Sequence, residues 1–387
     1  METQQTWFGL KKDKPDFEIQ CDEDRDLFFG RKSESKQVTT ILQRSFRSTR
    51  KPPKFILYGD WGAGKTHTLR HYEHLITKDE SKRAKLIFKE LPDIQSKDKF
   101  SVLHSALLDA IGQDTVQGWM RSLSQEHGLD TEEIIRERTQ SSDVAKAFIS
   151  QTITGEASAI GWEWLRAETP LSPSRANLIM LSSKGLSQSQ EFVHVLRELG
   201  RLCAQATKET LVFLVDELGN LNETANKDSE NDWKWAFRGI FGQENKEFGF
   251  IGAGTWMGED DCPRALQDQQ VVTRLGLENI IQLGPFGQEE AVDFLKSLCR
   301  AFVDAKKAEK LKKKYAEEAN EEPIDAESFP FTTDGMDLLA GHACREGGTT
   351  YPRDLLGLVD DFCNRAMDKK RHILSHEFID SEISFSD

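Results

Sequence analysis

Residues 54–66 read Lys-Phe-Ile-Leu-Tyr-Gly59-Asp60-Trp61-Gly62-Ala63-Gly64-Lys65-Thr66, and the ten that follow from His67 are HTLRHYEHLI. An apolar run, a glycine-rich turn ending in Gly-Lys-Thr and a helical pattern come in that order, which is the context that gives G-x-x-x-x-G-K-[ST] its meaning. The glycines let the backbone approach a phosphate and turn its N–H groups toward it, and the N-terminus of the next helix adds a positive partial charge. The loop thus predicts a nucleotide site built from Gly59, Asp60, Trp61, Gly62, Ala63, Gly64, Lys65, Thr66 and His67. In it the Lys65 ammonium reaches the β- and γ-phosphates and the Thr66 hydroxyl ligates Mg²⁺. ATP and Mg²⁺ are the expected cofactors.

Outward from the loop, residues 85–91, 210–215, 248–253 and 280–283 are further short apolar runs bounded by polar or glycine-rich segments. Runs of that length suit strands covered on both faces. Helical patterns lie between them, clearest over 187–206, where Phe192, Val195, Leu196 and Leu199 repeat at i, i+3, i+4 and i+7 and Ser187 with Gln190 makes a capping box. Strands that alternate with helices imply a mostly parallel sheet, hence an α/β fold. About 120 residues separate the second run from the third, too many for one crossover, so residues 97–186 form a helical insertion, with patterns at FSVLHSALLDAIG and TEEIIRERTQSSDVAKAFI. Trp162, Trp164 and Leu165 anchor it to the core or form an edge for a partner. From 285 onward the pattern is helical, broken near Pro323, Gly347 and Pro352. The domains expected are an N-terminal segment 1–50, an ATPase core 51–284 and an all-α lid 285–387.

The third run ends in Asp216-Glu217. An ATPase needs one carboxylate to hold the metal, directly or through water, and a second to take a proton from the attacking water; Asp216 fits the first role and Glu217 the second.

With these motifs in place, the chain from Trp7 onward resembles a bacterial AAA+ ATPase of the group that includes replication initiators, transposon-targeting ATPases and STAND-like ATPases of phage-defence loci. Phe28-Phe29-Gly30-Arg31-Lys-Ser-Glu34 is similar to that family's F-x-G-R-x-x-E box, which implies that Phe29, Gly30 and Arg31 lie against the adenine. The segment 250–255 resembles the fourth strand with its sensor 1, placing Thr255 near the γ-phosphate. Val271-Val-Thr-Arg274 resembles the segment that sends an arginine into the neighbouring subunit, with Arg274 as the finger and Arg264 as the alternative. Thr350-Tyr-Pro-Arg353 is similar to the G-x-P-R form of sensor 2, in which the arginine touches the nucleotide.

The resemblance implies an AAA+ P-loop core with a five-stranded parallel sheet, and an ATPase that is slow or stimulated by a partner. It further implies an oligomeric switch or assembly factor that recruits a protein effector in a DNA-directed system, either phage defence or transposition. A STAND-type signalling ATPase that opens on nucleotide exchange, and a remodelling ATPase, are the alternatives; no clear aromatic–hydrophobic–glycine pore tripeptide favours the last.

A net charge of −14 on 387 residues disfavours non-specific coating of nucleic acid, and a winged-helix reader after the lid, which the resemblance to replication initiators would bring, is not expected. Nucleic acid is then expected only through an oligomer or a partner subunit. Two basic runs, 44–54 and 306–314, stand out, the second as a solvated helix face. No apolar stretch approaches the roughly eighteen residues of a membrane span, and the first residues lack a basic start with an apolar run. The six cysteines form no C-x-x-C pair. A cytoplasmic protein with no membrane partner is the expectation.

Overall fold

Each of the five apolar runs is a strand: β1 Lys54–Gly59, β2 Ala84–Glu90, β3 Thr210–Asp216, β4 Phe248–Thr255 and β5 Ile280–Gln282. They make one parallel sheet in the order β2-β3-β4-β1-β5. The computed structural model describes residues 3–46, 51–79, 83–139, 141–224, 226–258, 260–319, 322–325, 327–344 and 348–384; residues 47–50 of the first basic run and Gly347 lie outside them. In β3 every position after Thr210 is buried, as helices on both faces require. Parallel pairing brings the strand ends to one edge: Gly59 is in register with Thr255, and Asp216 with Glu90. That edge is where a doubly wound sheet binds its ligand.

The described chain forms two compact units, each around its own core. The sheet unit is Lys36–Gly59 with Tyr72–Gln282. Within it the insertion is a set of helices, Ser101–Ile111, Gln113–His127, Thr131–Thr139, Ser142–Ile149, Glu156–Arg166 and Pro173–Leu178. Trp164 and Leu165 are buried in the core that also holds β3, and Trp162 packs against it. The single helical pattern over 131–149 is two helices, because the Ser141 hydroxyl caps the second through the amide of Val144. The capping box expected at Ser187 and Gln190 falls one residue later: the Glu191 carboxylate accepts the amides of Ser187 and Gln188 at 2.8 and 3.0 Å, and the helix runs Ser189–Thr207. A carboxylate attracts these unpaired amides more strongly than the neutral Gln190 amide would.

His104, fully buried in the insertion, donates from Nε2 to the Leu165 carbonyl at 2.7 Å. Burial pushes its pKa from 6.5 down to about 4, against the pull of that hydrogen bond. The unfolded ring takes its proton first as pH falls, so the stabilisation is complete above about 6.5 and drains away toward pH 4, at about 1.4 kcal/mol per pH unit. Urea unfolding between pH 7.5 and 5 should therefore show a steeper loss in the wild type than in His104→Gln. Equal slopes would mean that the ring does not stay neutral in the fold.

The second unit is Met1–Ser35, Asp60–His71 and Leu283–Asp387. Its helices Gln288–Phe302, Ala305–Lys314, Thr333–Ala343, Pro352–Asp368 and His376–Ser384 surround a core that includes Phe8 and Phe17 from the chain start. The N-terminal segment is tied in by side chains: Gln4 Nε2 donates to Asp360 at 2.7 Å, and the Trp7 indole donates to the Arg371 carbonyl at 2.7 Å and stacks on His372. On Ala305–Lys314, Lys307 reaches back to the Leu10 carbonyl, while Lys306, Lys310, Lys313 and Lys314 face solvent as a charged helix face should. All six cysteines are free. No helix among the described residues is long and apolar enough to cross a membrane.

Candidate functional site

Gly59 closes β1 and hands the chain to the loop, whose residues from Asp60 belong to the helical unit. Gly62 and Gly64 have φ of +80° and +82°, a region costly for side chains with a Cβ. The helix Lys65–Lys78 follows directly. Among the described residues the amide N–H groups of Gly62, Gly64, Thr66 and His67 meet no acceptor, and neither does the Thr66 hydroxyl. Successive amides open at a helix N-terminus form an anion cradle. Buried Lys65 donates from Nζ to the Asp60 carbonyl at 2.8 Å, so its ammonium is held across the loop.

The loop is braced from outside by residues that the sequence placed elsewhere in the chemistry. Arg31, buried, donates from Nη2 to the Ala63 carbonyl at 2.8 Å and from Nη1 to the Gly284 carbonyl, and its guanidinium lies 4.8 Å from the Phe286 ring. It acts here as a strut between the loop and the chain at 284–286. Burial lowers its pKa against the opposing pull of Glu34. Phe29 turns into the helical core, edge-on to Phe294, and Gly30 sits against Phe286. Phe28 stacks on His71, whose Nδ1 bonds to the Arg25 carbonyl, and His67 Nε2 bonds to the Leu27 carbonyl at 2.5 Å. The box thus runs beside the loop helix, and the carbonyls just before it meet two histidines of that helix.

The lid residues come to the same loop. The Arg353 amide donates to the Gly62 carbonyl at 3.4 Å, and its guanidinium lies 4.8 Å over the Trp61 ring. Burial, then the negative charge of Asp60, raises the pKa of the Tyr351 hydroxyl.

In the sheet unit Asp216 ends β3 and is 1% exposed, and its Oδ1 accepts the Glu217 amide at 2.8 Å. Glu217 adopts φ 59°, ψ 34°, a left-handed conformation that costs a side-chain-bearing residue about 1–2 kcal/mol. Strain held at a residue expected to do chemistry is a common mark of a site. Thr255 ends β4 beside Gly59. Arg274 lies exposed on the helix Gln269–Leu275, where its Nη1 donates to the Arg238 carbonyl at 2.5 Å and pairs loosely with Glu244 at 3.9 Å. Arg264 is more exposed still, 3.7 Å from Glu230.

A family model described as the KAP family P-loop domain matches residues 31–228, more than half of the chain and the whole stretch from Arg31 through the loop to Asp216-Glu217. No curated protein matches it. Solved structures resemble it at low identity. The Orc1 protein of Aeropyrum pernix in complex with DNA is 14% identical, with 94% of this chain and 67% of that one covered and a TM-score of 0.45. The ORC2 protein of Aeropyrum pernix, in ADPNP–ADP complexes, gives 12%, 98%, 73% and 0.49, and the Cdc6p protein of Pyrobaculum aerophilum 14%, 96%, 68% and 0.47.

Proposed function

The chain belongs to the KAP family of P-loop domains, and on that premise we propose that it binds ATP with Mg²⁺ and hydrolyses it. In this reading it is an oligomeric switch or assembly factor that recruits a protein effector in a DNA-directed system, phage defence or transposition. The observation that carries the nucleotide reading is the row of open amides at Gly62, Gly64, Thr66 and His67 beside a loop-spanning Lys65 ammonium. The DNA-directed role and the effector draw on the sequence resemblance, and a cytoplasmic location on six free cysteines, which suit a reducing compartment.

Each residue has a task. The open amides take the phosphate oxygens, and Lys65 offsets the charge between the β- and γ-phosphates. Thr66 and Asp216 hold the metal; among the described residues no three His, Cys, Asp or Glu side chains could cage an ion, so the other oxygens come from phosphate and water. When bound, Mg²⁺ neutralises the charge that gathers on the phosphate oxygens. Glu217 takes the proton of the attacking water as its oxygen bonds to the γ-phosphorus and the bond to the β,γ-bridging oxygen breaks. Thr255 reports the γ-phosphate by hydrogen bond, Arg353 touches it from the lid, and Arg274 enters the site of the next subunit.

An exposed arginine whose partners among the described residues are a carbonyl and a loose carboxylate is available for work across an interface. Arg274→Ala should lower ATP turnover about tenfold, the worth of one charge contact of about 1.4 kcal/mol, without much loss of nucleotide affinity. Adding a Lys65→Ala subunit, which cannot bind ATP but keeps Arg274, should restore part of that turnover. No rescue at any ratio, with turnover independent of protein concentration, would remove both the finger and the oligomer.

A further inference from the structure

Positions 60 and 61 are variable in the phosphate-loop pattern, because the grip on phosphate is made by amides, lysine and threonine. Here they hold an acid and the largest side chain, and Trp61 is 65% exposed. Both face the same short segment of the helical unit. The Asp60 charge acts on Tyr351, the Arg353 guanidinium lies 4.8 Å over the Trp61 ring, and the Arg353 amide meets the Gly62 carbonyl. Gly62 is part of the fit, since a Cβ there would sit 3.1 Å from the Cβ of Arg353. Between Tyr351 and Arg353, Pro352 occupies the first helical turn and fixes its φ, so the two side chains leave a stiff backbone.

We propose that Trp61 is a positioning residue that seats the lid arginine on the loop itself by its ring face. This inference rests on the reading of Arg353 as a contact to the γ-phosphate. A long arginine side chain on an exposed helix start samples many rotamers, and holding it in one place costs entropy at every encounter with nucleotide. The indole face narrows that choice in advance. The loop that grips the phosphates then also fixes where the group that counts them stands, and discrimination of ATP from ADP depends on a side chain that the grip itself does not use.

The test is the ratio of ATP to ADP affinity, measured by calorimetry on the full chain for the wild type, Arg353→Ala, Trp61→Ala, Trp61→Phe and the Trp61→Ala, Arg353→Ala double variant. An exposed cation–π contact implies a loss of ATP preference of about two- to fivefold in Trp61→Ala. Arg353→Ala should lose at least as much, and the double variant no more than Arg353→Ala alone. Trp61→Phe, which keeps a weaker aromatic face, should recover part of the ratio. A wild-type ratio in Trp61→Ala, or a loss that adds in full to that of Arg353→Ala, would overturn the proposal. An unchanged ratio in Arg353→Ala would overturn it too, yet leave the nucleotide assignment standing wherever Lys65→Ala still loses both nucleotides.

Discussion

Replacing Lys65 by alanine should reduce ATP affinity by at least about 100-fold. Two effects combine. The ammonium offers charge-assisted hydrogen bonds to phosphate, each worth about 1.5–3 kcal/mol, and every 1.4 kcal/mol is a tenfold change in binding. The same ammonium spans the loop to the Asp60 carbonyl, so its loss also loosens the cradle whose amides must point at one spot. The fold should survive, because a hydrogen bond from the ammonium to a loop carbonyl is worth about 1.5–3 kcal/mol, a part of a domain's stability. Calorimetry with ATP, alongside thermal melting of both proteins, checks the two halves. A variant that melts like the wild type and binds ATP equally well would end the assignment of this loop as a nucleotide site.

Glu217→Gln should bind ATP with the wild-type affinity and hydrolyse it about 10²- to 10⁴-fold more slowly, the usual worth of a general base. The amide keeps the shape of the carboxylate and cannot accept a proton. Backbone strain supplies a second arm to the experiment. Glu217 sits at φ 59°, where glycine is at ease, so Glu217→Gly should gain about 1 kcal/mol of stability and lose hydrolysis just as thoroughly. A residue kept against its own conformational preference is kept for its carboxylate. Single-turnover hydrolysis and urea unfolding on the same three proteins provide the comparison, and a Gln variant that turns over normally would place the base elsewhere.

The strands were legible to within a residue or two because a strand covered on both faces reads as an unbroken apolar run, and β3 is the clearest case. The phosphate loop was legible because its demands fall on the backbone within eight consecutive positions. The division of the insertion near residue 140 was not, since no glycine or proline marks it and a serine cap does the work. Nor were the helper contacts of the site. Arg31 reaches Ala63 and Gly284, and Trp61 meets Arg353, across separations that no window along the chain spans. The role of the first twenty residues was hidden for a related reason: the run Trp7-Phe8-Gly9-Leu10 is too short to show a period, Phe17 stands between two acids, and their hydrophobic partners come from the other end of the sequence.

That last arrangement sets a schedule for the ribosome. Phe17 packs on Phe302, Gln4 bonds to Asp360 and Trp7 to Arg371, so residues 4–17 wait for partners that emerge about 300 residues later. At about 5–20 residues per second the delay is roughly 15–70 s, during which the phosphate loop, already synthesised, lacks both Arg31's second anchor at Gly284 and the lid segment at 351–353. The nucleotide site is therefore completed only after translation of the C-terminal helices. Until then the nascent chain carries Phe8 and Phe17 without a core, and a ribosome that stalls before residue 300 leaves a product with its sheet strands made and its apolar N-terminus open to chaperones or proteases.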